Sequence, residues 1–360
     1  MSCFSLIRPE VNRIWPYTAV LRNHFNNYRL VATQASTDQI KITDEVLNQF
    51  ISQVENNDVS NKVTCTAYIE KLCELGSILD AARLLKSLHA KQIFLSPKTY
   101  NMLVTVVGKK RNYGMLSQIF KDVLLSCNIL GSDFYLNLAK AFSSMEDSGP
   151  LRKFIGELSD TKFPNGTIVM NKMIIGFAKS KQIEKAVMIF DLMKNLNCKP
   201  DLVTYNILLD VLGTSGWIDE MLLVFASIKE SSLSPDIISY NTLINNLRKS
   251  GRLDLCLVFF REMSETEVDP DLRTYTALID SFGRSGHVEK ALGLLGQMKK
   301  KGIHPSIYNY RSLVSNLKKV GKSKLAVSLL EEMNSSVSDF QTWKKWTKKS
   351  RFTPPHQCRL

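Results

Sequence analysis

The sequence predicts an all-α fold, an α-solenoid in which 35-residue helix-turn-helix units stack into a right-handed superhelix. Three observations predict it. The heptapeptide Pro200-Asp201-Leu202-Val203-Thr204-Tyr205-Asn206 returns at Pro235–Asn241 and at Pro270–Thr276, a step of 35 residues each time, and such a fixed period marks stacked supersecondary units. Within one step the apolar residues form two stripes at helical spacing, as in Tyr205, Leu208, Leu209 and Leu212, then Ile218, Leu222, Phe225 and Ile228, with Gly213 to Gly216 between them. A proline that cannot extend the second helix closes the unit, at Pro200, Pro235, Pro270 and Pro305.

Taken in order, residues 1–36 are expected to be an organellar targeting segment. The first 35 residues carry Arg8, Arg13, Arg22 and Arg29, no lysine and a single acid, Glu10. Arg29-Leu30-Val31-Ala32 suits mitochondrial processing, with the chloroplast as the alternative destination. Residues 37–61 are expected to form an N-terminal capping helix with Val46, Leu47, Phe50, Ile51 and Val54 on one face, started by Thr43 or Asp44.

The frame then gives eight units: 62–96, 97–131, 132–166, 167–201, 202–236, 237–271, 272–306 and 307–341. Tyr100, Tyr205, Tyr240, Tyr275 and Tyr310 share position 4; Gly76, Gly216, Gly251, Gly286 and Gly321 share position 15. Phe120, Phe190, Phe225 and Phe260 share position 24, and Met193, Met263, Met298 and Met333 share position 27. After each turn an apolar residue precedes an acid that suits an N-cap or a first-turn charge: Leu79-Asp80, Ile183-Glu184, Ile218-Asp219, Leu253-Asp254 and Val288-Glu289. A lone hairpin cannot bury both faces, so neighbours stack, with the first helices expected to line the concave surface. Units 97–131 and 132–166 lack the turn glycine, and Pro164 suggests a one-residue shift near Asn165-Gly166.

Residues 342–360 form a basic tail: after Asp339 no acid appears, while Lys344, Lys345, Lys348, Lys349, Arg351 and Arg359 gather around Phe340, Trp343 and Trp346. It suits a capping helix, with non-specific attraction for a polyanion as the second reading. The whole chain carries a net charge of +13, which favours an anionic partner. Seven scattered cysteines and five isolated histidines show no metal-ligand spacing, so neither metal nor other cofactor is expected. No apolar run approaches the roughly 18 to 20 residues of a membrane span.

A 35-residue hairpin with Pro-Asp-x-Val-Thr-Tyr-Asn, Gly-x-Leu-Asp-x-Ala and Phe-x-x-Met resembles the pentatricopeptide repeat, and the plain 35-residue length resembles the P class of that family. The resemblance covers residues 62–341 and implies an organellar, sequence-selective binder of single-stranded RNA that reads one base per repeat. It also implies that position 5 and position 35 of a repeat face a base together. Position 5 holds Thr66, Asn101, Leu136, Asn171, Asn206, Asn241, Thr276 and Arg311. Position 35 holds Ser96, Gly131, Gly166, Asp201, Asp236, Asp271, Ser306 and Gln341.

The base-reading candidates are therefore Thr66 with Ser96, Asn171 with Asp201, Asn206 with Asp236, Asn241 with Asp271, and Thr276 with Ser306. A carboxamide offers donors and an acceptor to a base edge, and a carboxylate can orient it. The same aspartates also suit N-caps, and the two roles are compatible. By the family's correspondence the Asn/Asp units prefer U and the Thr/Ser units a purine. Ile168, Val203, Ile238 and Arg273 at position 2, followed by Tyr308, are expected to sandwich successive bases. Lys109, Lys179, Lys249, Arg284 and Lys319 at position 13 are expected to follow phosphates, or to serve only as helix C-terminal cations. No catalytic constellation is evident; neither a deaminase HxE and CxxC pattern nor an acidic nuclease cluster occurs. The expected function is non-catalytic RNA binding in organellar processing, stability, splicing or translation, with recruited proteins as further partners. The alternative is a protein-interaction scaffold within an organellar ribonucleoprotein.

Overall fold

The computed structural model describes residues 61–335 apart from 92, 127–129, 144–146, 160–165 and 197. The expected targeting segment, nearly all of the N-terminal cap, Glu146, Pro164, Gln341 and the basic tail lie outside the described residues. The chain divides into two compact units at Lys199/Pro200. Among the described residues each unit is an α-solenoid of four helical hairpins.

The first unit contains α1 (Asn61–Leu75), α2 (Ile78–Ala90), α3 (Pro97–Lys109), α4 (Tyr113–Ser126), α5 (Ser132–Ala141), α6 (Gly149–Ser159), α7 (Gly166–Lys179) and α8 (Ile183–Asn195). The second contains α9 (Leu202–Thr214), α10 (Ile218–Glu230), α11 (Ile237–Lys249), α12 (Leu253–Glu265), α13 (Leu272–Arg284), α14 (Val288–Lys300), α15 (Ile307–Lys319) and α16 (323–335). Within each unit odd-numbered helices stack on odd-numbered helices, and α2, α4, α8, α10, α12 and α14 pack on their hairpin partners, while α6 packs on α4 and α8. The starts of α9, α11, α13 and α15 are 35 residues apart. Helix α7 starts at Gly166, one residue ahead of that frame, in line with the shift expected from Pro164.

The hairpin turns share one backbone solution. After α9 the Trp217 N–H donates to the Leu212 carbonyl at 2.9 Å, and the same six-residue closure recurs from Ser77 to Leu72, Gln182 to Phe177, Arg252 to Leu247, His287 to Phe282 and Lys322 to Leu317. This is the Schellman arrangement, which needs a residue with positive φ just past the helix. Gly216 (φ 84°) supplies it after α9, and Gly76, Gly251, Gly286 and Gly321 supply it elsewhere. Where glycine is missing the geometry persists: Arg111 (φ 56°) and Lys181 (φ 62°) adopt the left-handed conformation, a local cost of about 1 kcal/mol that the stacked neighbours offset.

The acid after each turn is a first-turn charge rather than a cap. Helices α8, α10, α12 and α14 begin on the apolar residue itself, so Glu184, Asp219, Asp254 and Glu289 lie in the first turn, where they oppose the positive end of the helix dipole. In the first hairpin the pairing Leu79-Asp80 is displaced by one residue. Ile78 is the buried helix start and Leu79 is 69% exposed.

The core repeats as well. Tyr240, Leu243, Ile244 and Leu247 of α11 are buried, as are Tyr275, Leu278, Ile279 and Phe282 of α13. Edge-on aromatic pairs knit one hairpin to the next: Phe225 to Tyr240 at 5.2 Å and Phe260 to Tyr275 at 5.3 Å between ring centroids, with Phe120 and Tyr135 the first-unit counterpart at 6.3 Å. Tyr135 thus belongs to the position-4 tyrosine column. The phenol then reaches across its own hairpin: Tyr240 donates to Glu262 at 2.8 Å and Tyr310 to Glu332 at 2.8 Å, while Lys229 and Lys299 of the preceding hairpins pair with those carboxylates. Burial, together with the Glu262 charge, pushes the Tyr240 phenol up to about 12. Burial also pushes the Cys65 and Cys73 thiols up to about 11 and Cys256 to about 12, so these thiols stay protonated. Among the described residues no helix is long and apolar enough to cross a membrane, and no cluster of potential metal ligands occurs.

Odd-numbered helices approach closely through small residues. A Cβ on Gly176 of α7 would lie 2.7 Å from the backbone oxygen of Tyr135 on α5. Backbone cannot move aside as a flexible side chain can. Gly176→Ala is therefore expected to lower stability by about 1–3 kcal/mol in urea or thermal unfolding, against the up to ~1 kcal/mol that alanine gains in a helix free of such contact. Unchanged or raised stability would contradict this packing.

Candidate nucleic-acid interface

The site is built at the first turns of α9, α11, α13 and α15, because the helix caps and the candidate reading residues are the same atoms. Asp236 caps α11: its Oδ1 accepts from the Ser239 N–H at 2.8 Å and the Ser239 hydroxyl at 2.8 Å, while the Asp236 N–H donates back to Ser239 Oγ at 3.2 Å. This reciprocal capping box recurs at Asp201 with Thr204, Asp271 with Thr274 and Ser306 with Asn309. In the first unit Ser96 caps α3 by accepting from the Thr99 N–H at 3.2 Å. The capping role read for the aspartates is thus present in the structure.

Onto the same Oδ1 of Asp236 the Asn206 carboxamide donates from Nδ2 at 3.3 Å, and Asn241 donates to Asp271 Oδ1 at the same distance. Residues 30 apart in sequence meet because the odd-numbered helices lie side by side. Thr276 follows suit with the cap of α15, accepting from Asn309 Nδ2 at 3.1 Å beside Ser306. Thr274 Oγ lies 2.6 Å from Asn241 Oδ1 and 2.9 Å from Asp271 Oδ1, so its single proton goes to one or the other. Asn206 Oδ1 is buried without a hydrogen-bond partner among the described residues, and so is Asn171 Oδ1. An amide held by one N–H with its acceptor unspent retains the donor and acceptor that a pyrimidine edge requires.

Asn171 belongs to the first unit and Asp201 to the second. Thr66 lies half-buried on α1. Asn101 of α3 has no carboxylate in its position-35 column, where Gly131 stands; its Oδ1 accepts instead from Asn137 Nδ2 at 2.8 Å.

The position-2 residues stand out from the surface. Ile168 is 52% exposed, Val203 and Ile238 are each 58% exposed and Tyr308 56%, with Arg273 exposed between them in the row. Large apolar side chains held in solvent at a 35-residue spacing contribute nothing to the core. At the C-terminal ends of α3, α7, α11 and α15, Lys109, Lys179, Lys249 and Lys319 are exposed and make no ion pair among the described residues. Arg284 differs, since Asp280 one turn earlier holds its guanidinium at 2.6 Å.

Three residues on this face escaped the column reading. Asn245 and Arg248 of α11 and Asp280 of α13 line one cleft with Arg273, Thr276 and Tyr308. For Arg248 the signal in the sequence is a break in a column, since the flanking units have Gly213 and Gly283 there; Asn245 and Asp280 share position 9 with Asp210.

Fold and site together define a helical-hairpin repeat protein that presents one polar pair and one exposed planar or apolar side chain per repeat. Family models described as PPR repeat family match residues 165–214, 235–284 and 274–319, and a PPR repeat model matches 203–233 and 308–336. The repeats from residue 165 to residue 336 are thus pentatricopeptide repeats. The chain is 39% identical over 148 residues to a pentatricopeptide repeat-containing protein of Arabidopsis thaliana, covering 40% of each chain. A second Arabidopsis thaliana relative of the same description is 28% identical over 118 residues, 32% of this chain and 20% of its own. The chain thus spans less than half the length of these relatives. In fold it is similar to the pentatricopeptide repeat protein PPR10, solved in complex with an 18-nt psaJ RNA element, with a TM-score of 0.60 and 21% identity over 90% of this chain and 47% of that one.

Because Asp236 serves both cap and amide, its substitutions separate the two. Asp236→Asn, an equally good cap, is expected to leave stability within about 0.5 kcal/mol, whereas Asp236→Ala loses about 1 kcal/mol. Equal losses on thermal unfolding would contradict the capping geometry.

Proposed function

We propose that the chain is a non-catalytic, sequence-selective binder of single-stranded RNA, of the P class, acting in organellar RNA metabolism. The observation that carries this reading is the meeting of Asn206 with Asp236 and of Asn241 with Asp271 beneath the exposed row Val203, Ile238, Arg273 and Tyr308. A base slides between two successive row members and meets the carboxamide with its Watson–Crick edge. The carboxylate holds the amide through one N–H, which leaves the second N–H to donate to a uracil carbonyl. The lysines at the far ends of the helices track the phosphates.

Function then follows from occupancy. Covering a tract blocks exonucleases, holds RNA single-stranded or presents it to a recruited protein. Mitochondrial location, with the chloroplast as alternative, rests on the arginine-bearing, acid-poor first 36 residues and accords with the plant origin of the relatives. The repeat matches and the complex of the fold relative with an RNA element support RNA as ligand.

Titration of the chain with single-stranded oligonucleotides tests the reading. U-rich tracts are expected to bind best; Asn206→Ala and Asn241→Ala are each expected to cost roughly 5- to 150-fold on them, the equivalent of ~1–3 kcal/mol per read base. Lys249→Gln should weaken all sequences alike and flatten the dependence of log affinity on log salt by about 0.7. Binding indifferent to salt, or to both asparagine substitutions, would sink the proposal.

A further inference from the structure

The cleft at the third repeat of the second unit carries Arg248 where the corresponding place in its two neighbours is glycine. About 360 Å³ in volume, it is lined by Asn245 and Arg248 of α11, Arg273, Thr276 and Asp280 of α13, and Tyr308 of α15. Arg273 and Tyr308 are successive members of the exposed row, and both are planar. Thr276 occupies the place that Asn241 and Asn206 hold one and two repeats earlier. In the Asn241 repeat and in the repeat that starts with α15, the place that corresponds to Arg248 is taken by Gly213 and Gly283, so at this position a guanidinium borders this cleft alone of the three.

Arg248 is poised rather than spent. Only its Nε is engaged, donating to Asn245 Oδ1 at 3.1 Å, and it makes no ion pair among the described residues. The two terminal nitrogens of the fork keep their donors. Asp280 is buried, with Oδ1 accepting from Ser312 at 2.8 Å and Oδ2 from Arg284 at 2.6 Å. A carboxylate has about four acceptor sites, so two remain.

Resting on the RNA-binding reading above, we propose that this cleft takes a guanine base, and that Arg248 and Asp280 are specificity-determining residues outside the position 5 and 35 pair. Guanine carries the acceptors O6 and N7 side by side, the pattern a guanidinium fork matches, with the donors N1–H and N2–H next along its edge for a carboxylate. Adenine places an amine where guanine has O6, so it sets donor against donor. Uracil and cytosine have no N7, so neither offers the O6/N7 pair that the fork matches in guanine. The chain is thereby expected to read a U-rich run ending in G, not in either purine.

The test is a fluorescence-anisotropy series on the full chain with oligonucleotides that carry UUUN, and in reverse order NUUU, where N is each of the four bases in a constant unstructured frame. The expected result is that G exceeds A by about 5- to 150-fold at one end of the run. In Arg248→Lys, which keeps the charge but loses the fork, and in Arg248→Gln, G is expected to fall to the level of A. Helicity measured on both variants shows that the fold is retained. Equal binding of G and A by the unaltered chain, or a preference that survives both variants, overturns the guanine assignment while a U preference elsewhere leaves the RNA reading standing. Indifference to every base in the unaltered chain overturns both.

Discussion

One carboxylate oxygen organises the face of the second unit. Asp236 Oδ1 accepts from a backbone N–H that would otherwise be an orphan at the start of α11, from the Ser239 hydroxyl and from the Asn206 carboxamide. The start of one helix is thereby locked to a side chain on the helix before it. Repeated at Asp271 with Asn241, the arrangement fixes the distance between successive amides as firmly as it fixes the helices. An aspartate that served only as a cap would need no asparagine 30 residues earlier, and the asparagine would be a mild liability inside its helix.

Packing behind the face keeps that spacing regular. The edge-on phenylalanine–tyrosine pairs bury the body of each tyrosine, and its hydroxyl is pinned to a glutamate on the second helix of the same hairpin. Small residues let the odd-numbered helices approach until a single added methyl would strike a neighbour, as at Gly176 against Tyr135 and Gly213 against Asn246. Close approach brings position 5 of one helix within reach of the cap of the next. Stacking and site geometry are therefore one constraint seen from two sides. The turns serve it too, since the chain keeps the left-handed residue at Arg111 and Lys181 even without glycine.

Much of this was legible in the sequence because it repeats. A 35-residue period exposes any residue type that the fold needs at one place, so the tyrosine core, the turn glycines and the Asn/Asp columns all appear by subtraction. What escaped was whatever does not recur. Leu79 looked like the start of α2 because an acid follows it, yet Ile78 is the residue that packs. Tyr135 was hidden in a unit whose turn glycine is missing, and Arg111 shows that the turn does not require one. Arg248 departs from its column, where Gly213 and Gly283 flank it, whereas Asp280 shares position 9 with Asp210 and Asn245 and gives no such sign. The Arg284–Asp280 pair shows the same thing from the other side: the column suggests a free cation, and a neighbour one turn away occupies it.

The central claim is that the carboxamides of Asn206 and Asn241 meet bases held between members of the exposed row. A crystal structure of the chain with a uridine-rich oligonucleotide tests it most directly. The account predicts successive uracils between Val203, Ile238 and Arg273, each with its Watson–Crick edge against an asparagine amide that keeps its hydrogen bond to Asp236 or Asp271. RNA lying along α10, α12 and α14, or bases turned away from both amides, would contradict it.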